Sequence, residues 1–176
     1  MTKAKIQTRD LVAAALCAAI IAVCSQIQFP LPSGVPVTLQ TFAVALCGFL
    51  LAPKFAAASI SVYLLLGAVG VPVFAQFSGG AQVLFGMTGG FMLGFIPMAV
   101  LGSLSKKAAP SIALSLAGLL ICHIAGVLQF MLIMHTGLLE TIGMVSLPFI
   151  LKDILSVLLA WMLASRVRPM LHLSEK

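Results

Sequence analysis

Two adjacent charged residues, Lys152 and Asp153, lie within an otherwise apolar stretch near the C-terminal end of this 176-residue sequence. The sequence contains only three other acids, Asp10, Glu140 and Glu175, which fall at helix ends or in a loop of the predicted topology. An ionisable side chain within a membrane span is energetically costly and is therefore a candidate functional residue. A carboxylate beside an ammonium offers charge-assisted hydrogen bonds, the kind of contact that holds a small polar solute.

The position of Asp153 within a predicted helix indicates where its side chain points. Asp153, Ser156, Ala160 and Ala164 recur at intervals of three and four residues and share one small, polar face, which suits the interior of a bundle. Asp153 would lie roughly 9 Å below the outer end of the helix, at about six residues of helical rise. Lys152, about 100° away around the helix, would either extend to the outer membrane surface or turn into a pocket. A structural alternative for Asp153 is a buried carboxylate capped by a polar group of another helix.

Uncharged polar residues are concentrated in the same outer half of the predicted bundle. Amide and hydroxyl groups satisfy a polar ligand without burying further charge. His123 and Gln129 are instead expected to form hydrogen bonds between helices. Motifs for nucleotide binding, zinc proteolysis or a serine nucleophile are absent from the sequence, and its four cysteines lack metal-ligand spacing. No metal or cofactor is expected, and an enzyme with Asp153 as a base is kept only as an alternative. The outer polar residues are Gln28, Thr38, Gln40, Thr41, Gln76, Ser78, Gln82 and Thr88.

Composition and charge place the chain in a lipid bilayer. Hydrophobic residues make up 61% of the sequence and charged residues 8%, whereas a soluble domain carries about a quarter charged residues. Nine of the ten cations fall on one side of a six-span topology, which predicts cytoplasmic termini by the positive-inside rule. This placement also argues against nucleic-acid binding, despite a net charge of +6. The nine cations are Lys3, Lys5, Arg9, Lys54, Lys106, Lys107, Arg166, Arg168 and Lys176.

Hydropathy and proline positions predict an all-α integral membrane protein with six transmembrane helices in one domain, residues 1–176. The helices are expected over residues 10–28, 37–52, 55–71, 88–105, 110–135 and 147–167, the last ending before Pro169. Residues 136–146 are predicted to form an outer loop. The segment from Gly67 to Gly102 holds nine of the fifteen glycines. It is either a cap over a binding pocket or an ordinary outer loop whose turns need positive φ.

Small residues form a stripe along the first predicted helix, at Ala14, Ala18 and Ala22, with Ala15 and Ala19 beside it. Such a stripe permits close helix approach. It indicates either packing within the bundle or docking of a partner membrane protein.

Four segments, taken in order, resemble the BioY family, the biotin-specific S components of energy-coupling factor (ECF) transporters. They are residues 36–41 (PVTLQT), 63–74 (YLLLGAVGVPVF), 86–95 (GMTGGFMLGF) and 148–155 (PFILKDIL). The resemblance implies a six-helix protein of the cytoplasmic membrane with a biotin site near the outer face, under the first and third loops. It also implies a transmembrane coupling protein (the T component) and paired ATPases as partners, with the stripe Ala14, Ala18 and Ala22 as the docking surface.

The resemblance and the polar pattern together suggest a set of ligand-binding residues. Asp153 would accept from the ureido N–H groups of biotin, or Lys152 would pair with its carboxylate. Many family members carry a lysine where this chain has Ser156, and Pro and Tyr where it has Met87 and Phe91. The alternative ligand within the same class is another vitamin, such as thiamine or riboflavin. The full predicted set is Thr38, Gln40, Thr41, Tyr63, Phe74, Phe77, Gly79, Gly80, Gln82, Thr88, Gly89, Gly90, Lys152 and Asp153.

Overall fold

A computed structural model describes residues 7–31 and 33–171. Within these residues the chain forms eight α-helices and one two-stranded hairpin. The predicted flanking cations Lys3, Lys5 and Lys176 lie outside the described residues. The elements, in chain order, are α1 (Thr8–Gln26), β1 (Gln28–Phe29), β2 (Val37–Thr38), α2 (Gln40–Leu50), α3 (Pro53–Ala68), a 3₁₀ turn (Ala75–Phe77), α4 (Ala81–Leu84), α5 (Gly89–Ser103), α6 (Ala108–Met134), α7 (Leu138–Val145) and α8 (Leu147–Leu171).

All six predicted apolar helices are present, as α1, α2, α3, α5, α6 and α8. In the described part of the chain α1, α6 and α8 are long and apolar enough to cross a membrane, and the other three are shorter apolar helices. The shortest, α2, has 11 residues and buries ten of them, so it is about 16 Å long and is enclosed by its neighbours. The all-α membrane fold class is therefore confirmed.

Several predicted boundaries are wrong, each for a local reason. α1 ends and α2 begins closer to the middle of the bundle than expected, because Gln28 pairs with Thr38 and Phe29 with Val37 in an antiparallel hairpin. α8 continues through Pro169 to Leu171. A proline in the last turn removes only one backbone hydrogen bond there, so the helix is not stopped before it.

The predicted outer loop at residues 136–146 contains the helix α7. Thr141 and Val145 are buried on one side of α7, and Glu140 is exposed on another. This one-sided burial shows that α7 lies on the bundle surface and packs one face against it.

The two ends of the bundle differ in charge. At one end the Lys106 ammonium donates to the Leu51 carbonyl oxygen at 3.1 Å, and the Arg168 guanidinium donates to the Lys106 carbonyl oxygen at 3.5 Å. Lys54 begins α3 at the same end. The hairpin, α4 and α7 lie at the opposite end. Lys54, Lys106 and Arg168 therefore lie at one end of the bundle, away from the hairpin.

α5 and α6 pack closely through glycine. A Cβ on Gly94 would lie 2.5 Å from the Cα of Cys122, and one on Gly118 would lie 2.5 Å from the Cα of Met98. Small residues allow backbones to approach in this way within membranes. The tight pair provides a rigid wall for the space beside it.

Candidate ligand-binding site

A cavity of about 290 Å³ lies at the end of the bundle opposite Lys54, Lys106 and Arg168. Its walls come from α2, α5, α6 and α8, and it is covered by the segments 34–36, 74–78 and 83–88 together with Val145 of α7. This size is close to the lower end of the range of ligand pockets, about 300 Å³. The cavity is the candidate site. Polar residues around Lys152 and Asp153 form one side, the polar wall, and apolar residues such as Phe95, Leu119 and Phe149 form the other, the apolar floor.

Asp153 is the centre of the polar wall. It is only 4% exposed. Its Oδ2 atom lies 3.2 Å from Nε2 of His123, whose Nδ1 atom lies 2.9 Å from the Ser146 hydroxyl. With the ring proton on Nε2, His123 would donate to Asp153 and accept from the Ser146 hydroxyl. Asp153 is thus both capped by another helix and part of the cavity lining.

Lys152 turns into the cavity and does not extend to the membrane surface. Its ammonium forms an ion pair with Oδ1 of Asp153. It also donates to the Thr38 carbonyl oxygen at 2.9 Å and lies 3.5 Å from the Thr41 hydroxyl. These contacts tie α8 to the corner between β2 and α2. The adjacent charges therefore contact each other directly, although their separation around the helix did not require it.

A second polar chain runs from the hairpin into the core. The Thr38 hydroxyl donates to Oε1 of Gln40 at 2.9 Å, and Nε2 of Gln40 donates to the Tyr63 hydroxyl at 2.6 Å. The Tyr63 ring meets Phe74 edge to face, with centroids 5.5 Å apart. Tyr63 is 1% exposed and stands behind the cavity wall. Tyr63 was predicted to contact the ligand, but it does not line the cavity. Its hydroxyl and ring instead support Gln40 and Phe74.

Residues 74–88 form a lid over the cavity. Nε2 of Gln129 donates to the carbonyl oxygens of Leu84 at 2.8 Å and Gly86 at 2.7 Å. Nε2 of Gln26 donates to the Phe74 carbonyl oxygen at 2.9 Å, and its Oε1 accepts from the Phe77 backbone N–H at 2.9 Å. Irregular backbone at membrane depth needs such internal partners. Of the two interpretations of the glycine-rich segment, the structure supports the cap.

Seven predicted site residues line the cavity, and the other seven do not. Phe77 is 71% exposed, and the exposed Gln82 donates to the Gly79 carbonyl oxygen. Gly89 and Gly90 are buried against Leu84 and Ala125 and serve helix packing. Gly79 and Gly80 shape the turn before α4, where Gly80 has φ +101°. Those seven that line the cavity are Thr38, Gln40, Thr41, Phe74, Thr88, Lys152 and Asp153; those that do not are Tyr63, Phe77, Gly79, Gly80, Gln82, Gly89 and Gly90.

The sequence prediction missed most of the apolar floor. His123 does bridge helices as expected, but it also lines the cavity. On α6 the spacing of Leu119, Cys122 and His123 puts them on one buried face, and this polar residue within an apolar stripe was the available signal. The apolar lining that was missed includes Val83, Met87, Phe91, Met92, Phe95, Leu119, Cys122, Val145 and Phe149.

The docking role predicted for the alanine stripe does not fit its placement. Ala14 is 8% and Ala18 is 5% exposed within the main hydrophobic core, and Ala22 packs against that core. The stripe therefore faces the interior of the bundle, whereas the exposed alanines of α1 are Ala15 and Ala19.

Comparison with known proteins gives consistent matches over nearly the whole chain. The family model described as the BioY family matches residues 1–173. A Thermotoga maritima protein named biotin transporter BioY is 39% identical over 166 residues, covering 92% of this chain and 97% of that relative. A Pyrococcus horikoshii protein named probable biotin transporter BioY is 36% identical, covering 88% of this chain and 93% of the relative.

The fold also matches a solved structure. A crystal structure of the S-component for biotin from an ECF-type ABC transporter superposes with a TM-score of 0.84 at 22% identity, covering 94% of this chain and 95% of the other. The bundle therefore has the S-component fold.

Proposed function

The chain belongs to the BioY family, and we propose that it captures biotin as the membrane-embedded S component of an ECF transporter. It is a transport protein and not an enzyme. The cavity carries the proposal, because it places one buried carboxylate beside an apolar floor in a space fit for a small bicyclic ligand.

The chemistry of biotin matches the two sides of the cavity. Its ureido ring has two N–H donors that point to opposite sides, and one of them can donate to Asp153, whose oxygens each keep a lone pair beyond the contact with His123 or Lys152. The ureido oxygen accepts a hydrogen bond, and the hydroxyl of Thr41 and the amide of Gln40 lie on the same wall. The apolar bicycle would pack on aromatic side chains such as Phe74 and Phe149.

The orientation in the bilayer follows from the charges. The cationic end of the bundle faces the cytoplasm by the positive-inside rule, so both termini are cytoplasmic in this proposal. The cavity at the opposite end then faces outward, where it meets biotin before uptake. The lid, residues 74–88, separates the site from the outer aqueous phase.

Uptake against a gradient requires an energy source that this chain does not carry. The sequence has no phosphate-binding GxxxxGK[ST] segment. ATP hydrolysis is therefore assigned to paired ATPases, coupled through a transmembrane T component that docks on the lipid-facing surface of the bundle. The membrane of action is the cytoplasmic membrane.

Ligand titration of the purified protein tests the proposal. The full chain in detergent is titrated with biotin, riboflavin and thiamine by isothermal calorimetry, after a thermal unfolding scan has shown that it is folded. Saturable binding of biotin alone is expected. A folded protein that binds no biotin, or that prefers another vitamin, would refute the assignment.

A further inference from the structure

In the proposed function the urea end of the ligand contacts Asp153, and the cationic side chains of the cavity already contact protein atoms. We infer that the site does not recognise the carboxylate of the ligand with a charged group. It would therefore accept cyclic ureas of the biotin type whether the tail ends in an acid, an amide or an ester. This inference rests on the proposed function and specifies the substrate class of the same site.

The ammonium of Lys152 has no donor left for a ligand. An ammonium carries three N–H donors and no acceptor. Lys152 has three protein acceptors around it: Oδ1 of Asp153, the Thr38 carbonyl oxygen at 2.9 Å and the Thr41 hydroxyl oxygen at 3.5 Å. Binding a ligand carboxylate would break at least one of these contacts and separate Lys152 from the buried Asp153.

His123 is occupied in the same way. One ring nitrogen faces Asp153 and the other faces Ser146. Among the described residues that line the cavity, the side chains that can carry a positive charge are Lys152 and His123. The positive charge of Lys152 is already compensated by Asp153, so the inner cavity presents no net positive charge to an anion.

A ligand carboxylate therefore gains nothing by entering the inner cavity. An ionised group that leaves water without a partner incurs a large desolvation cost. The lining residues nearest to solvent are uncharged: Gly34 and Gln76 are exposed, and Ser78 and Thr88 are half-buried. The tail would end at this rim, where water continues to solvate its carboxylate.

Two changes to biotin, one in its tail and one in its urea, separate the parts of the ligand that the site recognises. Changing the tail of biotin to a primary amide removes the charge and keeps the length. Changing the urea, for example by replacing its oxygen, alters the part that Asp153, Gln40 and Thr41 would contact. The structure predicts tolerance to the first change and sensitivity to the second.

Calorimetric titration with biotin and biotinamide, in wild type and in Lys152→Gln, tests the inference, with Lys54→Gln as a matched change on the exposed cationic end. In wild type the two ligands should bind within about fivefold of each other, the size of a water-screened charge contact. Lys152→Gln should weaken both ligands by a similar factor because it releases Asp153, and Lys54→Gln should weaken neither.

A preference for biotin of more than about tenfold in wild type would overturn the inference. If Lys152→Gln abolished that preference, Lys152 itself would recognise the carboxylate. If the preference persisted, another group, such as backbone N–H at the start of α2 or α5, would do so. Binding of biotin alone would leave the proposed function standing, whereas folded wild-type protein that binds neither ligand would remove both.

Discussion

Replacing Asp153 by Asn is the sharpest test of the candidate site. The change keeps the size and shape of the side chain but removes the negative charge that Lys152 and one ligand N–H group would share. Asp153 is 4% exposed, so water cannot substitute for the lost contact. We expect Asp153→Asn to remain folded and to bind biotin much more weakly.

The size of the loss follows from the contacts. A hydrogen bond to a charged group contributes about 1.5–3 kcal/mol, against about 1 kcal/mol for a neutral pair. With one ureido N–H group donating to the carboxylate, neutralising it should cost about 1–2 kcal/mol of binding free energy. This corresponds to a rise in Kd of about 5- to 30-fold. Solvent near the half-buried Lys152 limits the further cost of leaving that ammonium unpaired.

Competition against radiolabelled biotin, together with calorimetry, measures this change. Glu140→Gln provides the matched control, because it converts an acid to an amide on the exposed side of α7 and should leave Kd unchanged. Thermal unfolding in detergent shows whether each variant is folded. If folded Asp153→Asn bound biotin with a loss below about 0.5 kcal/mol, Asp153 would be a capped structural acid and not a ligand contact.

Further substitutions test the packing and the lid. Ala18→Trp should lower the thermal midpoint strongly, since overpacking a filled core costs about 1–3 kcal/mol or more, whereas the exposed Ala15→Trp should not; equal midpoints would return the stripe to a docking role. Gly118→Ala should loosen α5 from α6, because its Cβ would meet Met98, and an unchanged midpoint would contradict this close approach. Gln129→Met leaves the Leu84 carbonyl oxygen without the Gln129 donor, at about 1–3 kcal/mol if it stays buried, while the Gly86 carbonyl oxygen keeps the Gly89 N–H. Hydrogen exchange in residues 84–88 should quicken, and unchanged exchange would show that other contacts hold the lid.

The helices could be predicted because the bilayer dictates them. Apolar runs between prolines and cations leave few alternatives to six helices, and the observed positions of Lys106 and Arg168 at one end agree with the alternation of charge along the chain. α7 could not be predicted as readily. It lies on the surface of the bundle, and its eight residues are too few to span a membrane, so hydropathy did not mark it as a separate helix.

The candidate site was predictable mainly where it departs from the apolar background. Asp153, Gln40 and Thr41 could be found because polar residues on an inward face need a reason to be there. Phe95 and Leu119 could not, because an apolar cavity wall has the same sequence pattern as a packed core. The glycines were predicted as ligand contacts but serve packing. Gly90 lies against the Ala125 backbone, and composition does not distinguish a glycine needed for close helix packing from one needed for ligand binding.

The phase of α1 was ambiguous for a further reason. The helix is apolar on all sides, since Leu16 and Val23 are exposed while Ile21 and Cys24 are buried. A soluble helix would have revealed its inner face by contrast with polar residues. In lipid that contrast is absent, so two neighbouring alanine stripes were equally compatible with the interior, and only the packed bundle distinguishes them.

Charge compensation explains why Lys152 and Asp153 occur together. An isolated carboxylate at this depth would be costly, but Lys152 balances its charge from the same helix while His123 orients it from α6. Thr38 in turn holds Lys152 through its carbonyl oxygen. The resulting wall is close to neutral overall yet rich in acceptor atoms. Such a wall selects a ligand by its N–H donors, and any charge that the ligand carries is best left in the water at the rim.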